Sequence, residues 1–109
     1  ESQAFSLLWI HSRGLRGTWD APYSYRKIIC DEEDPEPPQG TTPMTFAVDA
    51  TTDPDDIFGV SCAVVGQVVV MDQAIGELLG TIKELKQENE TLIGLIGISG
   101  YPLGEHGMV

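Results

Sequence analysis

The feature that most constrains the fold is a heptad pattern of apolar residues in the last third of the chain. Its positions recur at alternating spacings of three and four residues, which keeps them on one face of an α-helix. The sequence therefore predicts an amphipathic helix at 73–97, whose interface positions are Ile75, Leu78, Leu79, Ile82, Leu85, Asn89, Leu92, Ile93 and Ile96.

Details of this pattern predict how the helix associates. Leu79 and Ile93 fall at e positions and widen the stripe, which favours three strands over two. Asn89 stands at an a position, where a buried amide fixes register and strand number. Four glycines interrupt the helix, at 76, 80, 94 and 97. Each costs about 1 kcal/mol relative to Ala, so we expect the helix to need a partner.

The part before the helix, residues 1–72, suggests short strands. Tyr23–Cys30 and Met44–Val48 mix aromatic, β-branched and polar residues. The apolar runs 57–65 and 68–71 predict a buried hairpin that turns at Gly66-Gln67, although the helix pattern extends back to Val68. The expected fold class is thus α+β: short antiparallel strands followed by a C-terminal helix that forms a coiled coil, expected to be trimeric.

Two segments are expected to lack regular secondary structure. Residues 31–43 hold five carboxylates and four prolines without a large apolar side chain, which predicts a mobile acidic loop. Residues 98–109 follow the helix and are expected to form a flexible tail. Glu1 stands where a start methionine is expected, so the sequence is interpreted as a fragment or a processed product.

Charge and composition exclude some functions. The net charge of -11 repels phosphate and argues against nucleic-acid binding. The longest uncharged stretch, 57–71, is too short to span a bilayer as a helix, so no membrane span is expected. The two cysteines, Cys30 and Cys62, lie in apolar surroundings and suit either free thiols or one disulfide.

No catalytic, metal or cofactor motif emerges, and we expect no enzyme. Ser12, His11 and Asp20 have the residue types of a hydrolytic triad but no nucleophile-elbow context. The histidines and cysteines lack zinc-site spacing, and the aspartates of 49–56 lack the glycine and distal glutamate of an EF-hand loop. A candidate ligand face is formed by the aromatic residues Trp9, Trp19, Tyr23 and Tyr25, for which a core position is the alternative.

An apolar segment followed by Asp72 and Leu78-Leu79-Gly80-Thr81-Ile82-Lys83-Glu84-Leu85-Lys86-Gln87-Glu88-Asn89 resembles the closing stretch of bacteriophage tail-fibre and tailspike chains. The resemblance covers about 25 residues and implies a β-rich tip beside a trimeric coiled coil. Self-cleaving chaperones of that family use a serine with a lysine close behind. The residues after Ser2 do not match, so no catalytic residue is carried over.

The resemblance suggests a structural subunit of a viral fibre, spike or related assembly, found in a virion or outside cells. Its expected partner is a second copy of the chain, with other assembly subunits or a surface receptor as further partners. Two alternatives remain open at this stage. One is a ligand-binding module that the helix makes multivalent. The other is a viral fusion-type segment, because an uncharged run with glycines precedes the heptads.

Overall fold

A computed structural model of the chain describes residues 6–109, and the interpretations placed on Glu1 and Ser2 lie outside these residues. One long helix dominates the described part. In chain order a short 3₁₀ turn, Gly14–Arg16, precedes helix α1, Tyr23–Arg26, and helix α2, Pro54–Glu84. A second 3₁₀ turn, Glu105–Gly107, lies near the carboxyl end. The molecule is elongated, with principal extents of 67 × 29 × 19 Å.

The α+β prediction is wrong, because residues 6–109 contain no strand or sheet. Residues 57–71 form the first half of α2 instead of a hairpin, and Tyr23–Cys30 forms α1 and a turn. Within the Met44–Val48 segment a single antiparallel bridge joins Ala47 to Met108. The β-branched residues of 57–71 adopt a helix because packing against the rest of the chain outweighs their local preference.

The start of α2 is determined by local chemistry in the sequence. The Asp53 carboxylate accepts a hydrogen bond from the backbone N–H of Asp55 at 3.0 Å. Pro54 occupies the first helical position, where its missing N–H costs nothing. Asp55 and Asp56 place negative charge in the first turn, where the helix dipole favours it. These three features together fix the helix start at Pro54.

The end of α2 is a Schellman motif at an unusual residue. The N–H of Gln87 bonds to the carbonyl of Ile82 at 3.0 Å, and that of Lys86 to Lys83 at 2.9 Å. This arrangement places Lys86 at φ 55, in the left-handed region that glycine normally fills. The helix predicted at 73–97 therefore ends at Glu84. The left-handed conformation that follows is strained, because Lys86 has a Cβ that crowds the backbone.

The strain at Lys86 gives a testable prediction. We expect Lys86→Gly to raise the free energy of unfolding by about 1 kcal/mol, because glycine adopts this conformation without a Cβ clash. Lys86→Ala keeps the Cβ and is the matched control, with little change expected. Urea denaturation followed by circular dichroism measures both. Equal stability of the two variants would contradict the left-handed cap.

The core lies against the first half of α2. Trp19, Val60, Ala63, Val64 and Val109 form a buried cluster. The partly buried side chains packed around it are Leu15, Met44, Phe46, Val48, Ile57, Tyr101 and Leu103. The cluster brings together residues from both ends of the described chain, and α2 is the surface on which they meet.

The carboxyl end belongs to this core, in contrast to the predicted flexible tail. Val109 is 1% exposed, and its backbone exchanges hydrogen bonds with Phe46 at 3.0 and 3.1 Å. The N–H of Val48 bonds to the carbonyl of Gly107 at 2.8 Å. These bonds hold the last residues beside the 44–48 segment.

The acidic segment 31–43 is also held by contacts, which argue against the predicted mobile loop. Pro37 is buried, and the Trp19 N–H donates to the carbonyl of Thr41 at 2.7 Å. Pro38 lies against α2 at Gly59, where an added Cβ would come within 3.3 Å of the proline ring. The prolines, rather than large apolar side chains, make the contact with the helix.

Candidate functional site

The second half of α2 extends beyond the core and presents apolar side chains to solvent. The residues from Gly59 to Gln67 include all the buried positions of the helix, whereas residues 68–84 include none. We call residues 68–84 the distal segment; at 1.5 Å per residue it is about 25 Å long. A hydrogen bond from the Tyr25 hydroxyl to Gln73 Oε1, at 3.0 Å, connects α1 to its near end. Farther along, Cβ atoms added at Gly76 and Gly80 would meet nothing within 4 Å.

Five of the predicted interface residues lie on or directly after the distal segment, and we call them the apolar stripe: Ile75, Leu78, Leu79, Ile82 and Leu85. Leu79 is 44% exposed and Leu85, the C-cap residue, is 63% exposed. The other three are half-buried. Exposed leucines are common one at a time, but a continuous apolar stripe on a projecting helix is typical of an interaction surface.

The remaining predicted interface residues lie beyond the helix. Asn89 is an exposed residue in a turn, so the structure does not place it in a helical seam. Leu92, Ile93 and Ile96 follow in an irregular segment and are 100%, 50% and 70% exposed. The heptad pattern assigned these residues to the same helix face as the stripe. The Schellman motif at Lys86 ends the helix before them and so separates them from it.

The charged residues between Ile75 and Leu85 flank the stripe, whereas Asp72 precedes it at an e position, in the same register as Leu79. Glu77 and Glu84 occupy c positions of the heptad and Lys83 a b position, next to the glycines. Side chains at b and c face away from an a/d seam. A second helix could therefore cover the stripe from Ile75 to Leu85 without burying a charge, with Asp72 at the edge of the contact.

The four aromatic residues of the candidate ligand face have different environments. Trp19 is 1% exposed: its ring packs edge-on against Tyr101, with centroids 5.1 Å apart, and its Nε1 donates to the Leu15 carbonyl. Trp9 is 73% exposed in an irregular stretch with Leu7, Leu8 and Ile10. Of the two interpretations, ligand face or core, Trp19 fits the core, because its buried ring cannot contact a ligand at the surface.

Tyr23 and Tyr25 contact other parts of the chain through their hydroxyls. The Tyr23 hydroxyl donates to Glu36 Oε2 at 2.6 Å, and Lys27 Nζ donates to Glu36 Oε1 at 2.7 Å. The hydrogen bond from Lys27, followed by that from Tyr23, lowers the pKa of Glu36 below its ordinary value. This cluster is exposed, so its contribution to stability is small.

Two buried polar side chains, which sequence reasoning missed, organise the folded part. Arg26 is 2% exposed and donates through its guanidinium to three backbone carbonyls, those of Trp19 (2.6 Å), Gly40 (2.8 Å) and Pro38. Gln67 is 6% exposed. With its amide oxygen turned toward α1, it accepts from the N–H groups of Asp20 and Ala21 at 2.9 and 2.7 Å. Neither residue lies in a pattern that marks a buried polar group in the sequence.

Glycine makes the approach of Arg26 to α2 possible. A Cβ added at Gly66 would lie 3.0 Å from Arg26 Cγ and 3.5 Å from Ala21 Cβ. The guanidinium thus ties Trp19 and the acidic segment to α1, while the aliphatic part of the same side chain lies against α2 at Gly66. Its bond to the Trp19 carbonyl is buried and those to Pro38 and Gly40 are partly buried, so losing the donor leaves carbonyls with little access to water.

One open cavity has a candidate chemical residue, Asp20, in its lining. This cavity of about 350 Å³ is lined by Asp20, Ala21, Tyr23, Arg26, Gln39 and Thr41. The Arg26 guanidinium in this lining already donates to backbone carbonyls, among them those of Gly40 and Trp19. The Ser12 hydroxyl accepts from the Gly14 N–H, and Asp49 accepts from Thr51. Within residues 6–109, no group of three or more His, Cys, Asp or Glu could hold a metal ion.

Helix α2 is also long and apolar enough, by length and composition alone, to cross a membrane. Part of its most apolar stretch is buried inside the folded part, where it packs against Arg26 and Trp19. Insertion of that stretch into a bilayer would break these contacts. The same length and composition are found in core helices, and burial of the first half fits that role.

Comparison with known proteins adds no relationship: no protein family, curated protein or solved structure matches this chain.

Proposed function

We propose that the chain is a structural subunit that assembles with copies of itself through the apolar stripe of the distal segment. The observation that supports this is the stripe itself, which lies on the part of α2 that contains no buried residue. A lone helix with glycines at 76 and 80 gains little from propensity, and burial against copies would stabilise it. The bacteriophage fibre or spike suggested by the sequence resemblance is a narrower form of this proposal.

The heptad arrangement explains how copies would fit. Ile75, Leu78, Ile82 and Leu85 fill a and d positions, and Leu79 fills an e position that a two-stranded seam would leave partly exposed. We therefore expect three helices rather than two. The net charge of -11 opposes association, so the oligomer should strengthen as salt screens that repulsion.

Replacing Leu78 with Asp should convert the oligomer to monomer, because the seam would then bury an unpaired carboxylate. We expect the association constant to fall by at least about 100-fold. Gly80→Asp is the matched control, since it adds the same side chain at an f position with open space around it. Sedimentation equilibrium of wild type and both variants, at several protein and salt concentrations, measures the effect.

Three results would contradict the proposal. One is a wild-type protein that stays monomeric at high concentration and high salt. The second is an equal loss of association in Leu78→Asp and Gly80→Asp, which would place the contact elsewhere. The third is a monomer that floats with neutral phosphatidylcholine vesicles, which would assign the apolar surface to a lipid bilayer instead.

A further inference from the structure

The two cysteines of the chain meet between α1 and α2. Their Sγ atoms are 3.4 Å apart, although the residues are 32 positions apart in sequence. Cys62 lies on α2 and is fully buried, whereas Cys30 follows α1 and is half-buried. A disulfide has an S–S distance of about 2.05 Å, so the sulfurs need to approach by only about 1.4 Å.

We propose that Cys30 and Cys62 form a reversible disulfide that clamps α1 and the acidic segment to α2 according to the redox state of the surroundings. Cys30 immediately precedes the acidic segment, and the turn before it is closed by a bond from its N–H to the Lys27 carbonyl. A covalent link here adds to the hold of Arg26 on the same segment. The proposal is independent of self-association, because the pair lies beside the half of α2 that the core covers.

The surroundings assign the two thiols different roles. Cys30 is half-buried and lines an open cavity of about 230 Å³, which is the route by which we expect a small molecule to reach its sulfur, whereas Cys62 is fully buried. Burial, followed by the neighbouring Cys30 thiol, raises the pKa of Cys62 to about 12, so Cys62 stays protonated at neutral pH. The Cys30 thiolate is therefore the group that attacks an external disulfide first, and Cys62 resolves the product.

The reaction consumes one low-molecular-weight disulfide, written RSSR. The Cys30 thiol loses its proton to water, and its thiolate attacks one sulfur of RSSR, which forms a mixed disulfide and releases RS⁻. Cys62 then loses its proton to solvent and attacks Cys30 Sγ, which forms the Cys30–Cys62 bond and expels the second RS⁻. Both RS⁻ ions take up protons. Two protein thiols are oxidised, and RSSR is reduced to two RSH molecules.

The cavity also predicts which disulfide reacts best. Four carboxylates line it, from Asp31, Glu32, Asp34 and Glu36, together with the single ammonium of Lys27. This net negative charge repels an anionic disulfide such as oxidised glutathione. We therefore choose the uncharged bis(2-hydroxyethyl) disulfide as the probe and expect it to react faster than oxidised glutathione at low salt.

The test follows the full chain with this probe by intact mass and non-reducing peptide mapping. Wild type should pass through a mixed disulfide at Cys30 and end with an intramolecular Cys30–Cys62 bond. Cys62→Ala should stop at the mixed disulfide, and folded Cys30→Ser should stay unmodified. In buffers of the probe and its thiol, the disulfide should be favoured at least about 100-fold more in the folded chain than in 8 M urea. The oxidised chain should also melt at least about 10 °C above the reduced chain.

Other results would overturn the proposal. A wild-type chain that stops at the mixed disulfide would show that Cys62 cannot reach Cys30. Disulfides formed only between chains, thiols that stay unreactive in the folded protein, or equal equilibria in the folded and urea-unfolded chain would exclude a native clamp. The urea comparison uses wild type alone, so it remains decisive even if a cysteine variant fails to fold.

Discussion

Replacing Arg26 with Met should remove about 3–4 kcal/mol from the free energy of unfolding, one of the two largest effects expected of a single change in this chain. Methionine preserves much of the aliphatic packing near Gly66 but supplies no donor. The carbonyls of Trp19, Pro38 and Gly40 would then lose a charged hydrogen-bond donor at once. Buried carbonyls without donors are costly, and the acidic segment would lose its hydrogen bonds to α1.

Two comparison variants isolate this effect. Arg16→Met removes the same charge from an exposed position and should change stability by no more than about 0.5 kcal/mol. Arg26→Lys keeps one donor group and should give an intermediate loss, since an ammonium does not match three carbonyls as a guanidinium fork does. Urea denaturation measures all three. Equal stabilities of Arg26→Met and Arg16→Met would refute the anchoring role.

The same anchor changes what is expected of residues 31–43. Amide exchange near Pro38 and Gly40 should be slowed in wild type and accelerated in Arg26→Met, because the contacts of the segment converge on this guanidinium. Composition alone indicates disorder here, since carboxylates and prolines offer little to bury. The buried side chain of Arg26, from another part of the chain, supplies hydrogen bonds to this segment. No local sequence pattern indicates that this arginine is buried.

The sequence predicted the distal segment of α2 well and the first half of that helix poorly. The heptad spacing of Ile75, Leu78 and Ile82 is a strong periodic signal, so the helix there was expected. The valines of 57–71 favour strands locally, so the sequence predicted strands there. The segment is helical because its side chains pack in the core. The Asp53-Pro54-Asp55 start signal is present in the sequence, but the β-branched run that follows it favours strands.

Long-range contacts explain the remaining differences. The docking of Val109 beside Phe46 joins segments about 60 residues apart, and local periodicity carries no information about such a pair. Helix α2 ends at Glu84, and the left-handed residue that follows it is Lys86. Left-handed caps usually fall at glycine, so the glycines at 94 and 97 indicated a later end. The cysteine pair was one of two open alternatives in the sequence, and the structure supplies the distance between the sulfurs.

The second large effect is expected at Trp19. Truncation to Ala should cost about 3–5 kcal/mol, because it empties the centre of the core beside Val60 and Val109. It also removes the edge-on contact with Tyr101 and the hydrogen bond from the indole to the Leu15 carbonyl. Neighbouring side chains come from distant segments that are held together mainly at this ring, so the cavity can relax only in part.

Trp9 provides the matched control, since it is the other tryptophan of the chain and is 73% exposed. Trp9→Ala should change the free energy of unfolding by about 0.5 kcal/mol or less. Trp9→Phe leaves Trp19 as the sole indole, whose fluorescence should be blue-shifted in the folded protein and shift red on unfolding. The two alanine variants are compared by urea denaturation with circular dichroism as the readout. A larger loss in Trp9→Ala than in Trp19→Ala would show that the core is not built around Trp19.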